Sequence, residues 1–338
     1  MRESFRHFDK NKKIDLIGLG NAIVDIIVNI EDKFLERNNL KKGSMNLISS
    51  EKSQLLLETC KVIKQVSGGS SANTVVSLAQ LGNDVQFIGR VKNDQFGNFF
   101  SSDIKKSNTI FNTPPTNEGP STAHSIILIT PDAQRTMCTY LGASIEFEPK
   151  DIDFNIIKNS KYLYLEGYLW DSELAKNAFI EAAKIAKISN TKIILSLSDS
   201  FCVERHRESF LELIDNYVDI VFCNESELLS LFKKDTLESC PEKLSSLCEL
   251  VVVTMGSEGS LICDERETNL IKANLTGKVI DTTGAGDIYA GGFIHGLINN
   301  YSLKKCGQIA SICAGQIITQ LGSRSKIDLQ DLIRNNCA

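Results

Sequence analysis

Short runs dense in Val, Ile and Leu alternate with longer stretches of helical period along most of this chain. Segments 14–19, 85–88, 162–165, 193–197, 219–223, 250–254 and 261–263 read as strands, several of them apolar at consecutive positions, as in a sheet buried on both faces. Segments 71–81, 172–187, 225–232 and 285–298 read as helices. This alternation predicts an α/β fold with a mostly parallel sheet wrapped by helices. Near the end, Cys306, Ala310, Cys313 and Ile317 recur at helical spacing beside Gly307 and Gly315, which predicts a helix packed closely on that sheet. Two regions break the rhythm. Segments 25–30 and 45–48, then 123–129 and 136–141 around Pro131-Asp132, carry strand patterns outside the βα alternation and by themselves read as edge strands.

The stretch Asp281-Thr282-Thr283-Gly284-Ala285-Gly286-Asp287 runs directly into a helical pattern. Its glycines let backbone N–H groups converge, a helix N-terminus brings a positive dipole end, and a carboxylate stands at the same point. Phosphoryl transfer needs both: donors for the spreading negative charge and an acceptor for the proton of the attacking hydroxyl. The same residues also read as a plain strand-to-helix turn, with Thr282 or Thr283 as the cap and Asp287 complementing the dipole. A carboxylate so placed is expected to keep a low pKa. No Gly-x-x-x-x-Gly-Lys-Ser/Thr occurs, so the P-loop kinases are excluded, and Gly18-Leu19-Gly20 fails as a dinucleotide motif because Ile23 stands where the third glycine belongs.

With 338 residues, 42% apolar and 23% charged, the chain has the composition of a large soluble globule. A net charge of −5 provides no basic field for a nucleic-acid polymer, and no apolar run long enough to span a membrane occurs. The ten cysteines show no Cys-x-x-Cys and read as small buried hydrophobes in a reducing compartment, which with the polar opening predicts a cytoplasmic protein. Residues 1–13 are expected to fray.

A second glycine cluster, Gly68-Gly69-Ser70-Ser71-Ala72-Asn73, also opens a helix. Together the two clusters resemble the two signatures of the ribokinase family, the PfkB carbohydrate kinases. Gly20-Asn21 with Asp25, the span from Gly89 to Gly97, Asn224-Glu225-Ser226-Glu227 and Thr254-Met255-Gly256-Ser257-Glu258-Gly259 follow the same family order, so the likeness extends over roughly 14–322. It implies one ribokinase-like domain over 1–338, three-layer α/β/α, with a small β-sheet lid from about 26–48 and 123–141. It implies ATP and Mg2+ as cofactors. Asp287 would be the base, and Gly284, Ala285 and Gly286 the anion hole. Asn21, Asp25, Gly68, Gly69 and Asn73 would bind the acceptor, with Asp25 on vicinal hydroxyls, and Arg135 between the lid strands would reach the phosphates. Asn224 and Glu227 would hold magnesium through water, Asn224 at the nucleotide, and Thr254, Gly256 and Gly259 would form the nucleotide turn.

Among family branches, Gly20 to Asp25, 32–35 and 197–201 look most like adenosine kinases, which act on the 5′-hydroxyl of adenosine. Tyr168 is followed by Leu169 where that branch tends to carry an aromatic pair, so a sugar kinase acting on fructose, ribose or 2-keto-3-deoxygluconate stands as the alternative. The implied partner is a small nucleoside or sugar, and the implied state a monomer or homodimer.

Overall fold

A computed structural model of the protein describes residues 4–6, 8, 11–132 and 134–336. The larger sheet has eight strands: β1 (Ile14–Leu19), β5 (Val85–Ile88), β8 (Ser160–Glu166), β9 (Lys192–Ser196), β10 (Ile220–Asn224), β11 (Leu250–Thr254), β12 (Ser260–Asp264) and β13 (Thr268–Ile271). Their order is β13-β12-β11-β10-β9-β8-β1-β5. Strands from β5 to β11 in that order pair in parallel, and β12 and β13 close the edge antiparallel.

The consecutive apolar positions divide between two faces, as a period of two requires. Leu16, Tyr164, Ile194, Phe222 and Val252 pack on one side with Val75, Leu78, Phe293 and Leu297 from helices Ser70–Gln80 and Ala285–Ile298. Ile17, Leu165, Ile193, Val221 and Val251 pack on the other with Ala178, Ala182, Phe210 and Leu228 from helices Glu173–Ile188, Ser200–Tyr217 and Glu225–Phe232. The result is the three-layer α/β/α sandwich expected from the sequence. Because β1, β8, β9, β10 and β11 all run the same way, their C-terminal ends deliver Asn21, Glu166, Ser196, Asn224 and Thr254 to one edge.

The second sheet contains β2 (Ile23–Asn29), β3 (Met45–Leu47), β4 (Val62–Gly68), β6 (His124–Ile129) and β7 (Arg135–Tyr140), in the order β3-β7-β6-β2-β4. Strand β4 adds to the segments anticipated at 26–48 and 123–141. Val62, Ile63 and Lys64 are all exposed, and the strand ends on a glycine, so its pattern carries little strand signal. One face sends Val24, Ile26, Ile126, Leu128 and Cys138 into the core beside Leu56 and Phe100. The other face, by register, aligns Asp25 with Ser125, Thr139 and Leu47, and Ile27 with Ile127, Met137 and Met45.

Of the stretch expected to fray, residues 1–3, 7, 9 and 10 lie outside the described residues. Phe5 is buried: its N–H donates to Glu249 Oε2 (2.8 Å), and its carbonyl accepts from the Tyr162 hydroxyl (3.1 Å). Phe8 sits edge-on to the same tyrosine, with ring centroids 4.8 Å apart, so aromatic burial anchors this segment where its polar sequence gave no sign of it. All described cysteines are free, and all but Cys60 are buried; Cys337 lies outside the described residues. Among the described residues no helix is long and apolar enough to cross a membrane.

Candidate active site

Helix Ala285–Ile298 starts because Gly284 takes a left-handed conformation (φ 77°) as its N-cap. A side chain there would also press on Ser323, so the turn needs glycine on both counts. The Ala285 N–H closes a turn onto the Thr282 carbonyl (3.2 Å), whereas the N–H groups of Gly284, Gly286 and Asp287 have no acceptor among the described residues. These three N–H groups are therefore left open at the helix start, and Ala285 serves the turn. A Cβ at Gly286 would meet nothing within 4 Å, so the turn opens on space there.

Helix Ser70–Gln80 approaches with its own N-terminus. The Ser70 hydroxyl donates to Asp287 Oδ1 (2.6 Å) and the Asn73 amide to Asp287 Oδ2 (2.8 Å). Asn73, expected to touch the acceptor, thus holds the carboxylate, and its own Oδ1 accepts from Ser323 (3.2 Å). Burial pushes the Asp287 carboxyl above the usual range, against the pull of Ser70, Asn73 and Arg324. This reverses the low pKa expected from the helix start: removal from water outweighs local donors here.

Gly68 and Gly69 make the close approach. A Cβ on Gly68 would lie 2.5 Å from Asp25 Oδ2, and one on Gly69 (φ 101°) would overlap the Asn21 carbonyl oxygen. We predict that Gly69→Ala costs at least about 1–3 kcal/mol from backbone conformation alone. Urea denaturation tests this; unchanged stability would show that the turn relaxes freely. Asp25, on the inner face of the second sheet, is pushed up to about 7 by burial, with Arg324 and Arg135 drawing it down and Asp287 raising it. A protonated carboxyl loses one of its acceptor positions, so kcat/KM should fall as pH drops through about 7, not near 4. An acid limb near pH 4 in a pH–rate profile would contradict this placement.

Asn21 lies behind this surface. Its amide donates to Glu166 Oε1 (2.6 Å), while Ser71 N–H donates to Oε2 (2.8 Å). Glu166, buried and pushed up to about 7 by burial, pins the end of β1 to the first turn of helix Ser70–Gln80. It escaped the sequence reading, although a lone carboxylate ending a buried apolar strand is a visible signal. Arg324 escaped it too, and lies in a loop without periodicity. Its guanidinium donates to the Ser67 and Ala72 carbonyls.

From the second sheet, Arg135 pairs with buried Asp281 (2.7 Å) and donates to Thr283 Oγ1 (2.9 Å), fastening β7 to the glycine-rich turn. Its Nε and Nη2 are buried and have no hydrogen-bond partner. Across the cleft, Asn224 and Glu227 form a capping box in which Asn224 Oδ1 accepts from Glu227 N–H (2.9 Å) and Glu227 Oε2 from Asn224 N–H (3.0 Å). Glu227 is pushed up to about 7 by burial, with Asp199 and Asp287 raising it further. A cavity of about 150 Å³ lies between, lined by Ser70, Tyr164, Asn224, Glu227, Thr254 and Asp287. Gly256 (φ 56°) and Gly259 (φ 98°) shape the turn after β11; a side chain at Gly259 would overlap the Ile271 carbonyl. A larger groove of about 550 Å³ beside β13 shares no residue with this cavity and has no carboxylate lining it.

Two glycine-rich helix starts, a held carboxylate and a capping-box acid converge, and residues 38–329 match the pfkB family of carbohydrate kinases. The chain belongs to the PfkB family. Adenosine kinase from Sinorhizobium meliloti superposes with a TM-score of 0.89 at 41% identity, covering 96% of this chain and 99% of that one. A probable sugar kinase from Rhizobium etli CFN 42 gives a TM-score of 0.90 at 39% identity, covering 96% and 98%. A 5-dehydro-2-deoxygluconokinase from Geobacillus kaustophilus is 25% identical over 94% of this chain and 91% of its own length. This PfkB protein is therefore a phosphotransferase acting on a hydroxyl group, and its likeness to both nucleoside and sugar kinases leaves the acceptor to be argued from the site.

Proposed function

We propose that this kinase transfers the γ-phosphoryl group of ATP to the 5′-hydroxyl of adenosine or a close purine nucleoside. The observation that carries the reading is the inner face of the second sheet. Asp25 stands there beside Ile27, Ile127, Met137, Met45 and Leu47, with Met45 and Leu47 left 47% and 61% exposed. A carboxylate accepts two vicinal hydroxyls, and an apolar wall next to it suits a base, whereas a free sugar offers nothing to cover that wall. Tyr168, 38% exposed, adds an aromatic face near the strand ends. The 41% identity to the Sinorhizobium meliloti adenosine kinase supports the same reading.

In this arrangement the ribose diol lies on Asp25 and the primary hydroxyl faces Asp287. Asp287 accepts the hydroxyl proton as the oxygen–phosphorus bond forms and ADP leaves. The N–H groups of Gly284, Gly286 and Asp287 and the free donors of Arg135 meet the transferred phosphoryl. Glu227 suits magnesium held through water, because it is a buried acid whose charged neighbours, Asp199 and Asp287, are themselves acids. Bound there, Mg2+ would neutralise phosphate charge.

ADP release, measured with adenosine, fructose, ribose and 2-keto-3-deoxygluconate side by side, tests the acceptor. Adenosine should turn over fastest, and 2′-deoxyadenosine should be at least about tenfold poorer, because the missing hydroxyl leaves a desolvated carboxylate short of a partner. Faster turnover of any free sugar overturns the nucleoside reading. The second sheet acts as a lid, tethered through Arg135, so amide exchange in 23–48, 62–68 and 124–140 should slow when acceptor binds. Unchanged exchange at saturating acceptor would remove the lid.

A further inference from the structure

Among the described residues, Arg324 is a cation near the acceptor carboxylates that touches neither of them and meets only neutral partners. Its Nε and Nη2 donate to the Ser67 carbonyl (3.1 and 2.7 Å) and its Nη1 to the Ala72 carbonyl (3.0 Å). Ser67 is the penultimate residue of β4, and Ala72 lies in the first turn of helix Ser70–Gln80, so the guanidinium bridges the two sides of the Gly68-Gly69 turn. Ser67 is fixed in turn, its N–H donating to Asp103 Oδ2 (2.9 Å). The preceding residue, Ser323, bonds Asn73, which holds Asp287. The charge of Arg324 is left to act across space, and Asp25, Asp103 and Asp287 are the carboxylates that feel it.

We propose that Arg324 is a positioning residue that keeps Asp25 and Asp287 ionised together while clamping the turn between them. The proposal rests on the roles given above to those two carboxylates. Two acids facing one cleft repel each other, and burial disfavours both charges, so without a cation beside them they would take up protons at a higher pH than they do with it. A protonated Asp287 accepts no proton, and a protonated Asp25 loses part of its hold on the diol. Arg135 also faces Asp25, from β7, but Asp281 pairs with it directly. Glu166 at the end of β8 and Glu227 near the cavity add only negative charge, and Lys106 on the helix bearing Asp103 pairs with Asp103 (3.4 Å). Arg324 is therefore the cation whose field is free for the acceptor site. A guanidinium suits this role because it stays charged when buried, and its fork satisfies carbonyls on two segments at once.

The test compares pH profiles of kcat/KM for the wild type, R324M, R324K and R324Q, with whichever acceptor turns over fastest. In R324M the acid limb should move up by about one unit, a tenfold loss on the acid side that shrinks towards alkaline pH. R324Q should move likewise although its amide still reaches one carbonyl, so it carries the comparison if R324M does not fold. R324K should leave the limb within a few tenths of wild type. A uniform loss at every pH, or a shift in R324K as large as in R324M, would reduce Arg324 to a structural clamp and overturn the proposal. Preference for a sugar over adenosine would overturn the nucleoside reading and leave this comparison intact.

Discussion

Replacing Asp287 by Asn is expected to lower turnover by roughly 10²–10⁴-fold while acceptor affinity changes by no more than a few-fold. The substitution preserves size and keeps one oxygen to accept from Ser70 or Asn73, whose bonds at 2.6 and 2.8 Å fix the carboxylate against the helix start. What disappears is the negative charge that takes the hydroxyl proton. Burial makes the loss larger than it would be for an exposed acid. A carboxyl held above its ordinary pKa is a stronger base than one stabilised by a helix start, so the reversal found here favours the chemistry. Single-turnover rates with saturating ATP and acceptor measure the chemical step directly. Near-normal turnover in Asp287→Asn would remove the base assignment, and a large rise in KM at normal kcat would recast Asp287 as a binding group.

The two glycine-rich helix starts were legible because turn chemistry is local: Gly69 and Gly284 stand where φ is positive, and no other residue fits without strain. The central strands were legible because a sheet buried on both faces writes continuous apolar runs. What the sequence hid depends on tertiary placement. Asn73 reads as an acceptor contact until its amide is seen to be spent on Asp287, and Asn21 until Glu166 is seen to claim it. Arg324 is a single charge in a loop, with no periodicity to mark it and with partners more than 250 positions away in sequence. The direction of the Asp287 shift was hidden for the same reason, since desolvation comes from elements that the local motif does not contain.

Arg135→Met should reduce kcat by roughly 10²–10³-fold, the usual cost of removing one preorganised donor from developing negative charge. The motivating observation is a guanidinium that spends Nη1 on Asp281 and Thr283 and keeps Nε and Nη2 buried without partners, an arrangement costly to maintain unless an anion completes it. The same substitution should also cost stability. Asp281 is nearly inaccessible, and although the N–H groups of Thr283 and Gly322 still donate to it, loss of its cation leaves a buried charge uncompensated, typically a penalty of about 3–5 kcal/mol. The double variant Arg135→Met with Asp281→Asn separates the two effects. It removes the stranded charge, so denaturation midpoints should recover most of the loss, whereas turnover should stay low because the donors to the phosphoryl are still missing. Recovery of turnover along with stability would mean that Arg135 acts only by bracing the glycine-rich turn, and the phosphate contact would have to be abandoned.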